Sequence, residues 1–229
     1  MKLFAKSAKS VFVIGALIGA MSSTAAYADL KLNGSGASFP APLYNKWFKD
    51  YSKQTDGVRV DYQSKGSGAG IQDFINETVD FAGSDAAMKD SEIAQVKKGT
   101  ILLPVTAGEV VISYNLDGVT ELKLPRDVYP EIFLGNITNW NDTKIQAANP
   151  GVKLPDQNIT VVVRSDSSGT SYVFTNHLAA ISDNFKEQVG GAKAPNWPSA
   201  GTIVKAPKND GVTATIKQTP GAIGYVEYG

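Results

Sequence analysis

Three short loops carry the residue types that bind oxyanions. They are Gly/Ser-rich and centre on Ser38, Ser67 and Ser168. Each follows a strand-like stretch and precedes a helical one. A helix start leaves four backbone N–H groups unpaired, and its dipole favours negative charge there. Small residues let an anion approach that cradle, and serine hydroxyls add donors. Gly and Ser are also ordinary turn and cap residues, so no single loop is specific. Arg164 strengthens the pattern. It stands at the expected end of a buried strand, directly before the third loop, and offers a planar fork of donors that fits an oxyanion. Asp166, two residues on, is positioned to hold that fork.

Asp85 is the unusual member, because a carboxylate beside an anion repels it. The arrangement makes chemical sense when the anion carries a proton. An ionised carboxylate only accepts hydrogen bonds, and hydrogen phosphate has an O–H to donate. Sulfate at neutral pH has none, and facing two acceptors together costs roughly 1–3 kcal/mol. The competing reading of Asp85 is a cap for a helix over residues 86–96.

Other chemistries lack their residues. There is no Cys and one histidine, His177, which removes thiol nucleophiles, cysteine–zinc sites and multi-histidine metal centres. No metal or cofactor is therefore expected. The P-loop pattern G-x-x-x-x-G-K-[ST] is missing, and residues 66–70 (GSGAG) lack dinucleotide-fingerprint spacing. Two-metal phosphatases need Asp/His clusters. Ser168 with His177 nine residues on suggests a hydrolase only weakly, since a helical histidine is more often packed or solvated. The alternatives to weigh are thus a secreted phosphatase or other hydrolase, and a binder of another oxyanion; arsenate, protonated and nearly isosteric, meets the Asp85 requirement as well as phosphate does.

The elements that must position these residues alternate between strand and helix. Strand-like stretches fall at 30–32, 58–62, 79–83, 159–163 and 221–228, and helical ones at 42–53, 71–77, 126–133, 172–181 and 212–217. Residues 102–114 read as one long extended run that carries the chain from one lobe to another. The alternation predicts an α/β fold with parallel sheets and helices on both faces. Tyr44, Trp47 and Tyr51 could suggest a sugar platform, but their helical spacing favours core packing.

The chain has 229 residues, with 22 Lys plus Arg balancing 22 Asp plus Glu. That balance excludes a strongly basic nucleic-acid binder. At 42% hydrophobic and 19% charged, the sequence is that of a globular protein. Residues 1–28 read as a secretory signal: Lys2, Lys6 and Lys9, then a short apolar stretch, then Ala26-Tyr27-Ala28 as the cleavage pattern. The apolar run is short for a membrane span of about 20 residues. Cleavage after Ala28 leaves 19 basic residues against 22 acidic, a net charge of −3.

With these residues in view, the chain resembles the periplasmic phosphate-binding proteins of bacterial phosphate-specific ABC transporters. The matching stretches are GSGASFPAPLYNKW (34–47), GSGAG (66–70), VDFAGSDA (79–86), RSDSSGTSYVF (164–174) and PGAIGYVEY (220–228). The resemblance implies a two-lobed, Venus-flytrap type II binding protein that is not an enzyme. It would work in the periplasm as a monomer, bind inorganic phosphate in the cleft, and deliver it to a membrane permease and ATPase complex. It also implies the ligand set: Ser38 and Phe39 as hydroxyl and main-chain donors, Ser67 as the second-loop serine, and Asp85 as acceptor of the phosphate proton. Arg164 would be the cleft arginine, Asp166 its partner, and Ser168, Gly169 and Thr170 the donors at the third helix. The lobes would be residues 29–104 and 105–229. Relatives continue roughly another hundred residues past the YVEY stretch. The C-terminal return to the first lobe is therefore expected to be missing, with apolar surface exposed on that lobe.

Overall fold

The computed structural model describes residues 29–229. The expected leader and its cleavage after Ala28 lie outside the described residues. The chain opens with β1 (Leu30–Gly36), α1 (Ala41–Gln54), β2 (Val58–Ser64), α2 (Ser67–Ile75), β3 (Phe81–Gly83) and the short α3 (Asp90–Ile93). The three strands form one sheet in the order β2-β1-β3, all parallel. Then come β4 (Val110–Tyr114), α4 (Tyr129–Phe133), α5 (Thr143–Ala148), β5 (Thr160–Arg164), α6 (Gly169–Ile181), α7 (Asp183–Gln188), β6 (Thr202–Ala206), α8 (Lys208–Gln218) and β7 (Ala222–Glu227). Four of these build a second sheet in the order β4-β7-β5-β6.

The α/β class is as the sequence predicts, with one departure. In the second sheet β5 runs parallel to β6 and β7, but β4 is antiparallel to β7. The register explains it. Val110, the first residue of β4, lies beside Glu227 at the carboxyl end of β7. A chain arriving from the first sheet at that end of β7 can only run back along it. The extended run 102–114 is a strand only over Val110–Tyr114. Among the described residues, 100–108 make no backbone–backbone hydrogen bond.

Local chemistry accounts for the elements around the site. The β-branched run Thr160–Val163 makes β5 a strand buried on both faces, with Val162 and Val163 fully buried. Pro42 opens α1 near its start, where its missing N–H costs nothing. Ser168 caps α6 by accepting from Ser171 N at 3.0 Å. The expected helix over 86–96 shrinks to Asp90–Ile93, where Lys89 N donates to Glu92 Oε2.

The apolar core lies in the second unit, around Trp140, Phe133, Phe185 and Tyr225. Phe174 stacks on Tyr225 with ring centroids 4.4 Å apart. Trp140 has its own polar end satisfied, Nε1 donating to Gly221 O at 2.9 Å. The first unit buries less. Tyr44 is buried, but Trp47 and Tyr51 on the same helix are 43% and 52% exposed. With Leu102, Leu103 and Val105 they line an open apolar groove of about 750 Å³. The stripe read from sequence as core is therefore only partly covered. Among the described residues no helix is long and apolar enough to cross a membrane.

Candidate functional site

The carboxyl ends of β1, β2, β3 and β5 converge, as expected of ligand sites in open α/β sheets. Ser38 sits in the loop after β1 and is buried. That loop leaves the strand through Gly36, whose φ of +139° and close approach to Gly83 O admit no side chain. Tyr62 Oη donates to Ala37 O at 2.9 Å and fixes the turn.

Ser67, fully buried, is the first residue of α2 rather than a loop residue before a helix at 71. The glycines flanking it serve mainly to bring the two units together. A Cβ on Gly66 would lie 2.5 Å from Asp166 Oδ2, and one on Gly68 would lie 2.0 Å from Ser167 Oγ. Gly68 N donates to Ser167 O at 3.0 Å across the junction. A second tie lies outside the cluster, where Lys193 pairs with Glu92 at 3.2 Å.

Asp85 follows β3. Its backbone N donates to Ser67 Oγ at 3.2 Å, and its Oδ2 accepts from Thr170 Oγ1 at 3.5 Å. Its side chain caps no helix. Burial pushes its carboxyl up to about 6, against the opposing pull of Arg164 and the hydrogen bonds from Thr170 and Ser67. At neutral pH it is an ionised acceptor, half-buried in the wall of a cavity.

Arg164 ends β5 and is 4% exposed. It grips Asp166 in fork geometry, Nε to Oδ1 at 2.9 Å and Nη2 to Oδ2 at 2.5 Å. Burial raises the Asp166 carboxyl, but the Arg164 fork and the Lys208 N–H outweigh it and hold the group below its ordinary range. The other Arg164 nitrogen, Nη1, reaches Thr170 Oγ1 at 3.4 Å. Gly169 is wedged between Ser67 and Asp85, since a Cβ there would meet both within 2.6 Å. Phe39, Asp85 and Thr170 line a cavity of about 500 Å³, while Ser38, Ser67, Arg164 and Ser168 are buried beyond its walls.

The residues that the sequence assigned to the anion site thus fall in one neighbourhood. Ser67 and Asp85 from the first unit touch Thr170 and Gly169 from the second. Arg164 joins Thr170 to Asp166, and Ser168 caps the helix that carries Gly169 and Thr170. The sequence reading missed one buried member, Asn209. It contacts Ser38 Oγ, Thr170 Oγ1 and Arg164 Nη1. It was hidden because α8 begins at Lys208, four residues before the expected start, after a backbone turn with φ +58° at Lys208. The one available signal is a cap-type residue close behind Pro207.

His177 does not join the cluster. Nine helical residues put it about 13 Å along the axis from Ser168. Its Nε2 lies 2.6 Å from Tyr129 Oη, and the two rings stack. Ser168 Oγ meanwhile accepts from a backbone N–H, so no Ser–His nucleophile pair forms. Among the described residues no group of three or more His, Cys, Asp or Glu could hold a metal ion.

The sequence matches the family model described as "PBP superfamily domain" over residues 21–229. It is 45% identical over 199 residues to the phosphate-binding protein PstS of Pasteurella multocida, covering 86% of this chain and 56% of that protein. The PstS of Haemophilus influenzae is also 45% identical over 199 residues, with 86% and 58% covered. The chain therefore spans little more than half the length of the curated relatives it matches. Among solved structures, a phosphate-binding protein from Stenotrophomonas maltophilia superposes with a TM-score of 0.65 at 26% identity, covering 86% of this chain and 60% of that one.

Proposed function

The chain belongs to the PBP superfamily domain family, and from that premise we propose that it captures inorganic phosphate for an ABC-type importer. The relatives named above are phosphate-binding proteins, which supports the reading. The observation that carries it is the pairing of one half-buried acceptor with several buried donors. Asp85 stands against Thr170, Ser67 and the Arg164 guanidinium, which is held by Asp166, and Ser168 caps the helix that carries Thr170. Donors on all sides suit a tetrahedral oxyanion, and a single ionised carboxylate suits one that keeps a proton.

In this reading phosphate is held by Ser38, Phe39, Ser67, Asp85, Arg164, Ser168, Gly169 and Thr170, with Asp166 orienting Arg164. Residues 29–104 and 105–229 act as two lobes that close on the anion, each contributing part of the cradle. The working place is the periplasm, after removal of a leader at Ala28. The protein acts there as a monomer that hands its cargo to a permease and ATPase complex. Binding and release involve no covalent step.

The test is a calorimetric titration at neutral pH with phosphate and then sulfate, with circular dichroism to verify the fold. Tight phosphate binding without a sulfate response is expected. A folded sample that binds both anions equally, or neither, would overturn the reading.

A further inference from the structure

Resting on the phosphate reading above, we propose that Asn209 is a positioning residue that turns the hydroxyls of Ser38 and Thr170 into donors toward the bound anion. A hydroxyl has one proton and two acceptor lone pairs. It helps hold an oxyanion only when its proton is free to point there. For Ser67 and Ser168 this is arranged by the backbone, because their oxygens accept from Asp85 N and Ser171 N. Ser38 and Thr170 receive their N–H donors from elsewhere. Asn209 gives Ser38 Oγ both its backbone N, at 3.3 Å, and its Nδ2, at 3.1 Å. The same Nδ2 lies 3.4 Å from Thr170 Oγ1, where Arg164 Nη1 also donates. The Thr170 proton is thereby turned away from both nitrogens, toward Asp85 Oδ2 at 3.5 Å, from where a bound anion would take it.

The carboxamide is held in one orientation. Its Oδ1 accepts from Glu227 N at 3.3 Å and from Arg164 Nη1 at 3.5 Å, and neither of those nitrogens can accept. A flipped amide would set its NH₂ against two donors and offer its oxygen to the two hydroxyls, whose protons would then turn inward. Asn209 is 7% exposed, so water does not stand in for it. It also spans the junction, with Ser38 in the first unit and Thr170 and Arg164 in the second. The requirement is therefore for an amide rather than any polar side chain. A carboxylate of the same size would accept from both hydroxyls and draw their protons away from the anion.

The experiment compares phosphate titrations of the wild type, Asn209→Asp and Asn209→Ala at pH 7.5 and pH 5, with thermal melting of each. Each hydrogen bond to a charged group is worth about ten- to a hundredfold in affinity. N209D should weaken phosphate binding by about a hundredfold or more at pH 7.5, and N209A by about tenfold. The melting curves verify that each variant is folded at the temperature of the titration. The ratio of wild-type to N209D affinity should shrink at pH 5, where the introduced carboxyl, once protonated, regains a donor. The other charged groups around it are Arg164, Asp166, Asp85, Glu227 and Lys208; they are common to both proteins, so the ratio removes their own titration. N209D affinity within threefold of wild type, or equal losses in the two variants at both pH values, would overturn the proposal. Should N209D not fold, N209A carries the test, and a loss below threefold overturns it. A wild type that binds no phosphate would remove the phosphate reading itself and this inference with it.

Discussion

Replacing Asp85 by asparagine should make the protein more stable and less functional at once. The carboxyl is raised from its ordinary 3.8 to about 6, chiefly by burial. One pKa unit corresponds to about 1.4 kcal/mol, so the ionised group withdraws about 3 kcal/mol from the anion-free fold. The direction follows from linkage. The folded state holds the Asp85 proton more tightly than the unfolded state, so stability falls as pH rises from near 4 to about 6, and the deficit is complete above that. The substituted amide carries no charge to desolvate. At pH 8 the variant should melt roughly 6–12 °C above the wild type, taking about 2–4 °C per kcal/mol for a chain of this size. Near pH 4 the two curves should coincide. Adding phosphate at pH 8 should reverse the order, because only the wild type gains stability from a tightly bound ligand. The measurement is a scanning-fluorimetry series over pH 4–8, with and without phosphate. Equal melting temperatures at pH 8, or a gap that does not change with pH, would refute the argument that burial of this charge sets the cost.

Two further substitutions probe other parts of the cluster. Arg164→Lys keeps the charge but loses the fork on Asp166; phosphate affinity should fall about ten- to a hundredfold in calorimetry, and a loss below threefold would deny the fork its role. Gly169→Ala puts a Cβ 2.4 Å from Ser67 Oγ and 2.6 Å from Asp85 Oδ2, so the two units must part. Its phosphate affinity should drop by more than about tenfold. The near-ultraviolet circular dichroism of the aromatic core around Tyr225 should not change, and unchanged affinity would show that the close approach is dispensable.

Much of the site was legible because its signals are local. The β-branched run before Arg164 announces a buried strand, and an arginine at its end has few structural reasons to be there. The loops around Ser38, Ser67 and Ser168 repeat one strand–turn–helix grammar. Asp85 stood out because its charge conflicts with the rest. What escaped depends on distant partners. Asn209 gains its meaning from Ser38, 171 positions earlier. The antiparallel course of β4 is set by its pairing with β7, which no local pattern reports. The glycines of 66–70 read as an anion cradle, yet two of them make room for Asp166 and Ser167. On α1, periodicity identified the apolar face containing Trp47 and Tyr51 but could not say what covers it.

The order of strands in the second sheet has a consequence for folding kinetics. The first sheet draws only on residues 30–83 and can assemble as soon as these are available. In the second, β7 is an inner strand, hydrogen-bonded to β4 on one side and β5 on the other. Val110 must wait for Glu227, so a long loop must close before β4 has a partner. Pairing at such separation is slow, and until it occurs the strands of the second unit have no completed sheet to join. The cradle, which needs both units, forms only after β4 and β7 have paired. Until the two units meet, Ser67 and Asp85 have neither Gly169 nor Thr170 opposite them.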